Sequence, residues 1–286
     1  MNSIINVLNS YNPGQTLRED EYFDPQDGLV HCKRCHGPRQ KKYPFMDTTI
    51  TLPFPCSCIE ERWDQEDTLH EHRELLAQIS HLRSNGLQDK TLYHFTFDND
   101  SGYNPEISRA QAYVENWERM KTECIGLLFW GATGTGKTFM AGCIANALIE
   151  QCVPVLMTDT ETVMDKLKDL YSGDYSAFFK NLRKYELLIW DDFGADRGSL
   201  FSLEQIYRVI DAWYRTQKPL IITTNLTLNE LKKPPNVNYA RIYSRILERC
   251  VPVKINNLDI RAQIAKSHLS DMKTITVPTH NSLLSG

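Results

Sequence analysis

No stretch of this 286-residue chain approaches the roughly 20 uninterrupted apolar residues that a membrane span needs. The opening MNSIINVLNSYNPGQ also lacks a basic segment followed by a long apolar run. A cytoplasmic protein with no membrane partner is expected. A strongly basic balance is missing too: the net charge is −4. Residues 1–88 hold 9 Lys and Arg against 13 Asp and Glu, and the remainder is even at 23 against 23. Binding of nucleic acid by bulk charge alone is therefore excluded. There is no internal repeat and no low-complexity tract. What is present, 41% hydrophobic and 24% charged residues, suffices for one α/β core and a small extra module.

Eight cysteines are unevenly placed. Cys124, Cys143, Cys152 and Cys250 are scattered among apolar neighbours, as core residues are, whereas Cys32, Cys35, Cys56 and Cys58 form two close pairs. In a reduced compartment, close pairs point to metal. Four thiolates close a tetrahedral zinc site with no open position, which makes a structural Zn²⁺ site. The second pair is spaced more tightly than usual. His31 or His36 substituting for one cysteine, and four unliganded buried cysteines, stay open as alternatives.

From Glu60 to Leu82 apolar residues recur at roughly helical spacing until Asn85-Gly86 breaks the pattern, which predicts a helix and a boundary near residue 88. Beyond it, short β-rich apolar runs alternate with helical patterns, the signature of a parallel sheet flanked by helices. Strands are expected at 125–130, 153–158, 187–191, 220–224 and 251–255, and helices at 137–151, 161–171, 203–216 and 239–249. Residues 1–88 form the cysteine-bearing domain and 89–271 the α/β domain. The tail 272–286, rich in Ser, Thr, Pro and Asn, is expected to be flexible.

Gly131, Ala132, Thr133, Gly134, Thr135, Gly136, Lys137 and Thr138 fit G-x-x-x-x-G-K-[ST], between an expected strand and an expected helix. Glycines let backbone N–H groups face the phosphates of ATP, and the helix N-terminus adds partial positive charge. Lys137 is expected at the β and γ phosphates, and Thr138 on Mg²⁺. The buried run LLIWDD supplies a carboxylate for the same ion: Asp191, with Asp192 placed to orient or deprotonate the attacking water. Two aspartates ending a strand also serve as a helix cap and a turn residue.

With these motifs on the page, the sequence resembles the AAA+ replicative helicase loaders of bacteria and their phages, the DnaC/DnaI type, and the related IstB-type transposition ATPases. The resemblance runs from about Thr91 to His268 through Phe95-Thr96-Phe97, GATGTGKT, LLIWDDFG, LIITTN, RIYSRILERC and LDIR. It implies an AAA+ (ASCE-type) P-loop NTPase fold and ATP hydrolysis. Asn225 is implied as the polar sensor beside Asp192, Arg245 as the arginine finger given to a neighbouring subunit, and Arg261 as the second sensor. The family more usually has Glu where Asp192 stands, which puts the rate of hydrolysis in question. The implied partners are a hexameric replicative DNA helicase, held by the zinc-bearing domain, single-stranded DNA, and further copies of the chain when ATP is present. From the residues alone, Arg241, Arg245 and Arg249 at four-residue spacing also describe one solvated helix face.

For DNA, residues 160–184 offer two helical patterns carrying Lys166, Lys168, Lys180, Arg183 and Lys184 beside Tyr171, Tyr175, Phe178 and Phe179. Cations beside aromatic faces suit single strands. Core aromatics with a solvated lysine face are the competing reading.

Overall fold

The computed structural model describes residues 17–46, 48–102, 104–168, 175–194 and 200–256, with seven further positions between 259 and 272. It divides into two units, residues 1–77 and 78–286.

The first unit holds two antiparallel hairpins: β1 (Glu21–Asp24) with β2 (Leu29–Cys32), and β3 (Gln40–Phe45) with β4 (Thr48–Pro53). Neither was expected from the sequence. KKYPF in β3 is almost wholly exposed and shows no alternation of polar and apolar residues, so the period-two signal that betrays a strand is missing. A helix, α1 (Ser57–Gly86), starts one residue after Cys56 and ends at the expected Asn85-Gly86 break. It is longer at its N-terminus than the apolar pattern suggests. The division between the units falls within it.

In the second unit five parallel strands form the sheet: β5 (Gly126–Trp130), β6 (Val155–Thr158), β7 (Leu187–Trp190), β8 (Leu220–Thr224) and β9 (Cys250–Lys254). Their spatial order is β6-β7-β8-β5-β9. β6, β7 and β8 are buried at every position, as strands covered by helices on both faces must be. The first strand in sequence lies between β8 and β9, so the chain winds to both sides of it and opens a crevice at the strands' carboxyl ends.

Two apolar clusters pack on the sheet. One gathers α2 (Ile107–Glu115) and α4 (Lys137–Glu150) with Leu127, Phe129, Ile189 and Ile221. The other gathers α7 (Leu200–Tyr214) and α8 (Val237–Arg249) with Leu128, Leu188, Trp190 and Ile222. Alternate residues of β5, β7 and β8 thus face opposite layers. The Phe95 marker has a packing reason: a Cβ on Gly142 would sit 2.7 Å from the Phe95 ring, which also meets Phe139 with centroids 5.4 Å apart. Gly142 weakens α4 locally but admits that ring. Asn146 donates to the carbonyls of Leu92 and Phe95 and fastens this lead-in to α4.

The expected strands and helices are all present, with no end shifted by more than three residues. α2 and α3 (Trp117–Thr122) were not anticipated. The expected helix at 161–171 is seen as α5 (Thr160–Lys168), its remainder lying outside the described residues. α6 (Ser176–Leu182) is the second helix between β6 and β7. Among the described residues no helix is long and apolar enough to cross a membrane. The tail 272–286, apart from Met272, lies outside the described residues.

Candidate nucleotide and metal sites

The loop 131–138 leaves β5 and opens α4. Gly136 stands at φ +94° as the residue capping α4, and Gly134 at φ +81°. Both are left-handed positions that glycine occupies without strain. A Cβ at Gly134 would also collide with the carboxylate of Asp259. The Ile260 N–H donates to the Gly134 carbonyl (2.9 Å), so Asp259 and Ile260 of LDIR lie against the phosphate loop. Arg261 itself lies outside the described residues.

Lys137 is buried, 7% exposed, and its Nζ donates to the carbonyls of Gly131 (3.0 Å) and Ala132 (2.7 Å) and to Asn225 Oδ1 (2.8 Å). Asn225 follows β8, and its Nδ2 donates to Asp192 Oδ1 (2.9 Å). One amide therefore joins the lysine of the loop to the acid beyond β7. Thr138 Oγ1 donates to Asp191 Oδ1 (3.0 Å). Burial pushes the Asp191 pKa up, against the hydrogen bonds from Thr223 and Thr138 that favour its charged form. A carboxylate so desolvated gains from a cation beside it. The site residues on the loop, Asp191, Asp192 and Asn225 thus converge at the strand ends. A cleft of about 500 Å³ opens there, walled by Gly131, Thr135 and Asn225.

Thr223 was missed by sequence reasoning. Its hydroxyl donates to Asp191 Oδ1 (2.5 Å) and accepts the N–H of Asp192 (2.8 Å), holding both acids from the next strand. Asp192 stands at φ +47°, so the chain turns sharply off β7. The only signal was a hydroxyl near the end of an otherwise apolar run, LIITT.

Arg245 is engaged inside its own subunit. It pairs with Asp211 (2.5 Å), donates to the Tyr207 hydroxyl (3.2 Å) and stacks on the Tyr207 and Tyr214 rings. Arg249 stacks on Tyr214 as well, while Arg241 is exposed. The regular spacing conceals three different environments.

In the first unit the Sγ atoms of Cys32, Cys35, Cys56 and Cys58 lie within 4.8 Å of one another. Tetrahedral zinc with bonds of about 2.3 Å holds its sulfurs about 3.8 Å apart, so the four fit one ion after slight contraction. His31 faces elsewhere, with Nε2 on Asp27 (2.8 Å) and Nδ1 on the His36 carbonyl (2.9 Å). N–H groups and Ser57 draw the Cys35 thiol pKa down, while burial and the neighbouring cysteines push that of Cys58 up. Buried Arg39, also missed, donates to Cys32 Sγ (3.4 Å) and is held by Asp20 (2.6 Å) and Glu21 (3.0 Å). Its guanidinium thus links the cysteine cluster to both carboxylates.

Between β6 and β7, Tyr175, Phe178 and Phe179 pack partly buried against the second core cluster. Lys166 is half-buried and its pKa is lowered by that burial. Lys168 pairs with Asp165 (3.0 Å), and Lys180, Arg183 and Lys184 are exposed. Tyr171 lies outside the described residues. The described aromatics thus follow the core reading, and the cations other than Lys166 the solvated one.

A parallel sheet of this order, with the phosphate loop after its first strand β5 and a paired acid at the end of β7, separated from β5 by β8, defines an AAA+ P-loop ATPase. The family described as IstB-like ATP binding protein matches residues 57–267, and the chain belongs to it. The chain is 25% identical over 130 residues to the replicative helicase loader DnaC of Escherichia coli K12. That match spans 44% of this chain and about half, 52%, of the loader. It is 29% identical over 251 residues to the phage-like element PBSX protein XkdC of Bacillus subtilis 168, over 83% of this chain and 88% of that protein. The crystal structure of the DnaC helicase loader superposes at a TM-score of 0.50 with 25% identity, over 59% of this chain and all of the other. That of DnaI superposes at 0.51 with 19% identity, over 60% and 96%, a likeness of fold alone.

Proposed function

We propose that this ATPase delivers a hexameric replicative helicase onto single-stranded DNA, with ATP binding and hydrolysis gating the delivery. The observation that carries the reading is the connected site, in which Lys137, Asn225 and Asp192 share one hydrogen-bond chain, in a protein that resembles DnaC in both sequence and fold. In this reading the loop N–H groups and Lys137 hold the β and γ phosphates of ATP. Thr138 and Asp191 hold Mg²⁺, which neutralises charge on the phosphates when bound. Asp192 and Asn225 hold the water, and Asn225 is released for that task when Lys137 turns from it to the γ-phosphate. Arg261 serves as the second sensor within the subunit. Arg245 reaches a neighbouring copy only by leaving Asp211, so the ATP-bound homo-oligomer has to offset the loss of that pair.

The four cysteines hold one structural Zn²⁺, and residues 1–88 form the helicase-binding domain, 89–271 the ATPase domain and 272–286 a tail. The exposed cations Lys168, Lys180, Arg183 and Lys184 contact phosphates of the single strand, and the protein works in the cytoplasm. Support for the helicase contact is the resemblance, together with an acidity in the first domain that is ill suited to DNA. The test is co-purification with a hexameric replicative helicase from the same source. Binding by residues 1–88 within the full chain, lost on removing that domain, supports the reading, and absence of binding with and without ATP sinks it. The matching family's IstB-like description favours a second reading, an ATPase serving DNA transposition. Stimulation of a transposase with no effect on a helicase would select it.

A further inference from the structure

We infer that Thr223 is a positioning residue for ATP hydrolysis, its hydroxyl registering the acid on the metal side of the site to the acid on the water side. Thr223 is 1% exposed, and its hydroxyl makes two bonds of opposite sense. It donates to Asp191 Oδ1 (2.5 Å) and accepts the N–H of Asp192 (2.8 Å). The single proton is thus committed to one acid and a lone pair to the backbone of the other. Serine offers the same donor and acceptor, whereas valine has the shape of threonine and neither capacity.

Asp192 needs such a hold. Its φ of +47° is left-handed, a conformation that a residue with a Cβ adopts at a cost and keeps only where its surroundings fix it. The surroundings here are the end of β8, where three successive residues grip the turn. Thr223 takes the Asp192 N–H on its hydroxyl and the Phe193 N–H on its carbonyl (2.8 Å). Thr224 donates its hydroxyl to the Phe193 carbonyl (2.6 Å), and Asn225 donates to Asp192 Oδ1 (2.9 Å). Of these three side chains, that of Thr223 alone meets both acids. The Asn225 bond aims the Asp192 carboxylate, and the Thr223 bond sets the backbone from which that carboxylate is aimed. Without the hydroxyl, Asp192 keeps its charge and its chemistry but loses its fixed distance from Asp191. A reacting group misplaced by about 1 Å slows a reaction on the order of a hundredfold, so the loss falls on the rate and not on the phosphate loop.

The inference rests on the roles proposed for Asp191 and Asp192, and the experiment separates the two. Steady-state hydrolysis, calorimetry of ATP binding and hydrogen exchange at the Asp192 amide are measured on the full chain, on Thr223→Val, Thr223→Ser and Asp192→Asn. In Thr223→Val, kcat is expected to fall by about tenfold to a hundredfold. ATP affinity without Mg²⁺ stays within about twofold of the parent, because the phosphate loop is untouched. The Asp192 amide, having lost its acceptor, exchanges faster in the nucleotide-free protein. Thr223→Ser restores both kcat and protection. Parent-like kcat in Thr223→Val overturns the inference, as does a loss in Thr223→Ser equal to that in Thr223→Val, or a fall in ATP affinity as large as the fall in kcat. Should Thr223→Val not fold, the parent still decides: an Asp192 amide exchanging as fast as a free one has no bond to Thr223, and the inference fails. Asp192→Asn that hydrolyses ATP like the parent removes the role of Asp192 itself. Asp192→Asn inactive beside a fully active Thr223→Val leaves that role standing and removes only the part given to Thr223.

Discussion

Arg245 is the residue for which a hydrolysis assay alone would mislead. Replacing it with Ala removes the ion pair to Asp211, the hydrogen bond to Tyr207 and two ring contacts. The Arg245 side chain is 24% exposed and that of Asp211 14%. Breaking a fully buried pair costs about 3–5 kcal/mol and an exposed pair contributes about 0.2–1 kcal/mol. Asp211 keeps one partner, Arg215 at 2.9 Å, which is 76% exposed and weakly held. An intermediate loss of about 2 kcal/mol is therefore expected, ring contacts included. In a domain of this size that lowers the melting temperature by about 4–8 °C. Arg241→Ala, at an exposed position on the same helix, should stay within about 0.5 kcal/mol. The assay is thermal unfolding of both variants by circular dichroism, with Asp211→Asn completing a double-mutant cycle. A melting temperature for Arg245→Ala within a degree of the parent would refute the latch. If the latch holds, lost hydrolysis in Arg245→Ala counts toward a finger in trans only after the variant is shown to be folded at the assay temperature.

Three other outcomes are expected. Elemental analysis of protein purified without chelator should find one zinc per chain, and chelation should unfold the first unit while ATP binding persists; absence of zinc would end the metal assignment. His31 has its pKa raised above 6.5, by the His36 carbonyl and then Asp27, and Asp27 has its own lowered below 3.8, chiefly by His31. The pair's contribution is thus fully present from about pH 4 to 6.5 and is lost as pH rises through the elevated histidine value. Asp27→Asn should lower the first unit's melting temperature most below pH 6.5, and a gap that widens at higher pH contradicts the assignment. Lys168→Glu with Lys180→Glu should weaken ATP-dependent binding to a single-stranded oligonucleotide and reduce its salt dependence, read by fluorescence anisotropy. Unchanged affinity places the DNA contact elsewhere.

How legible each feature was follows from the range of the interactions that define it. The phosphate loop is local, eight consecutive residues between a strand and a helix, so its chemistry could be read directly. β7 and β8 were equally legible, because strands buried on both faces spell continuous apolar runs. Asp191 and Asp192 could be named, but the hand that holds them could not, since Thr223 arrives from another strand. Arg245 shows the same limit from the other side: its helical spacing was plain, whereas its Asp211 partner is 34 residues away on α7. The hairpins around the cysteines went unseen because β3 is too exposed to alternate.

The central claim is ATP-gated delivery of a helicase ring, and loading onto a closed circle of single-stranded DNA tests it most directly, because a ring can enter a circle only if it is opened. Helicase retained on the circle after gel filtration should require both this protein and ATP, and Lys137→Ala should abolish it. Equal retention with the parent, with Lys137→Ala and with no added protein would contradict the account.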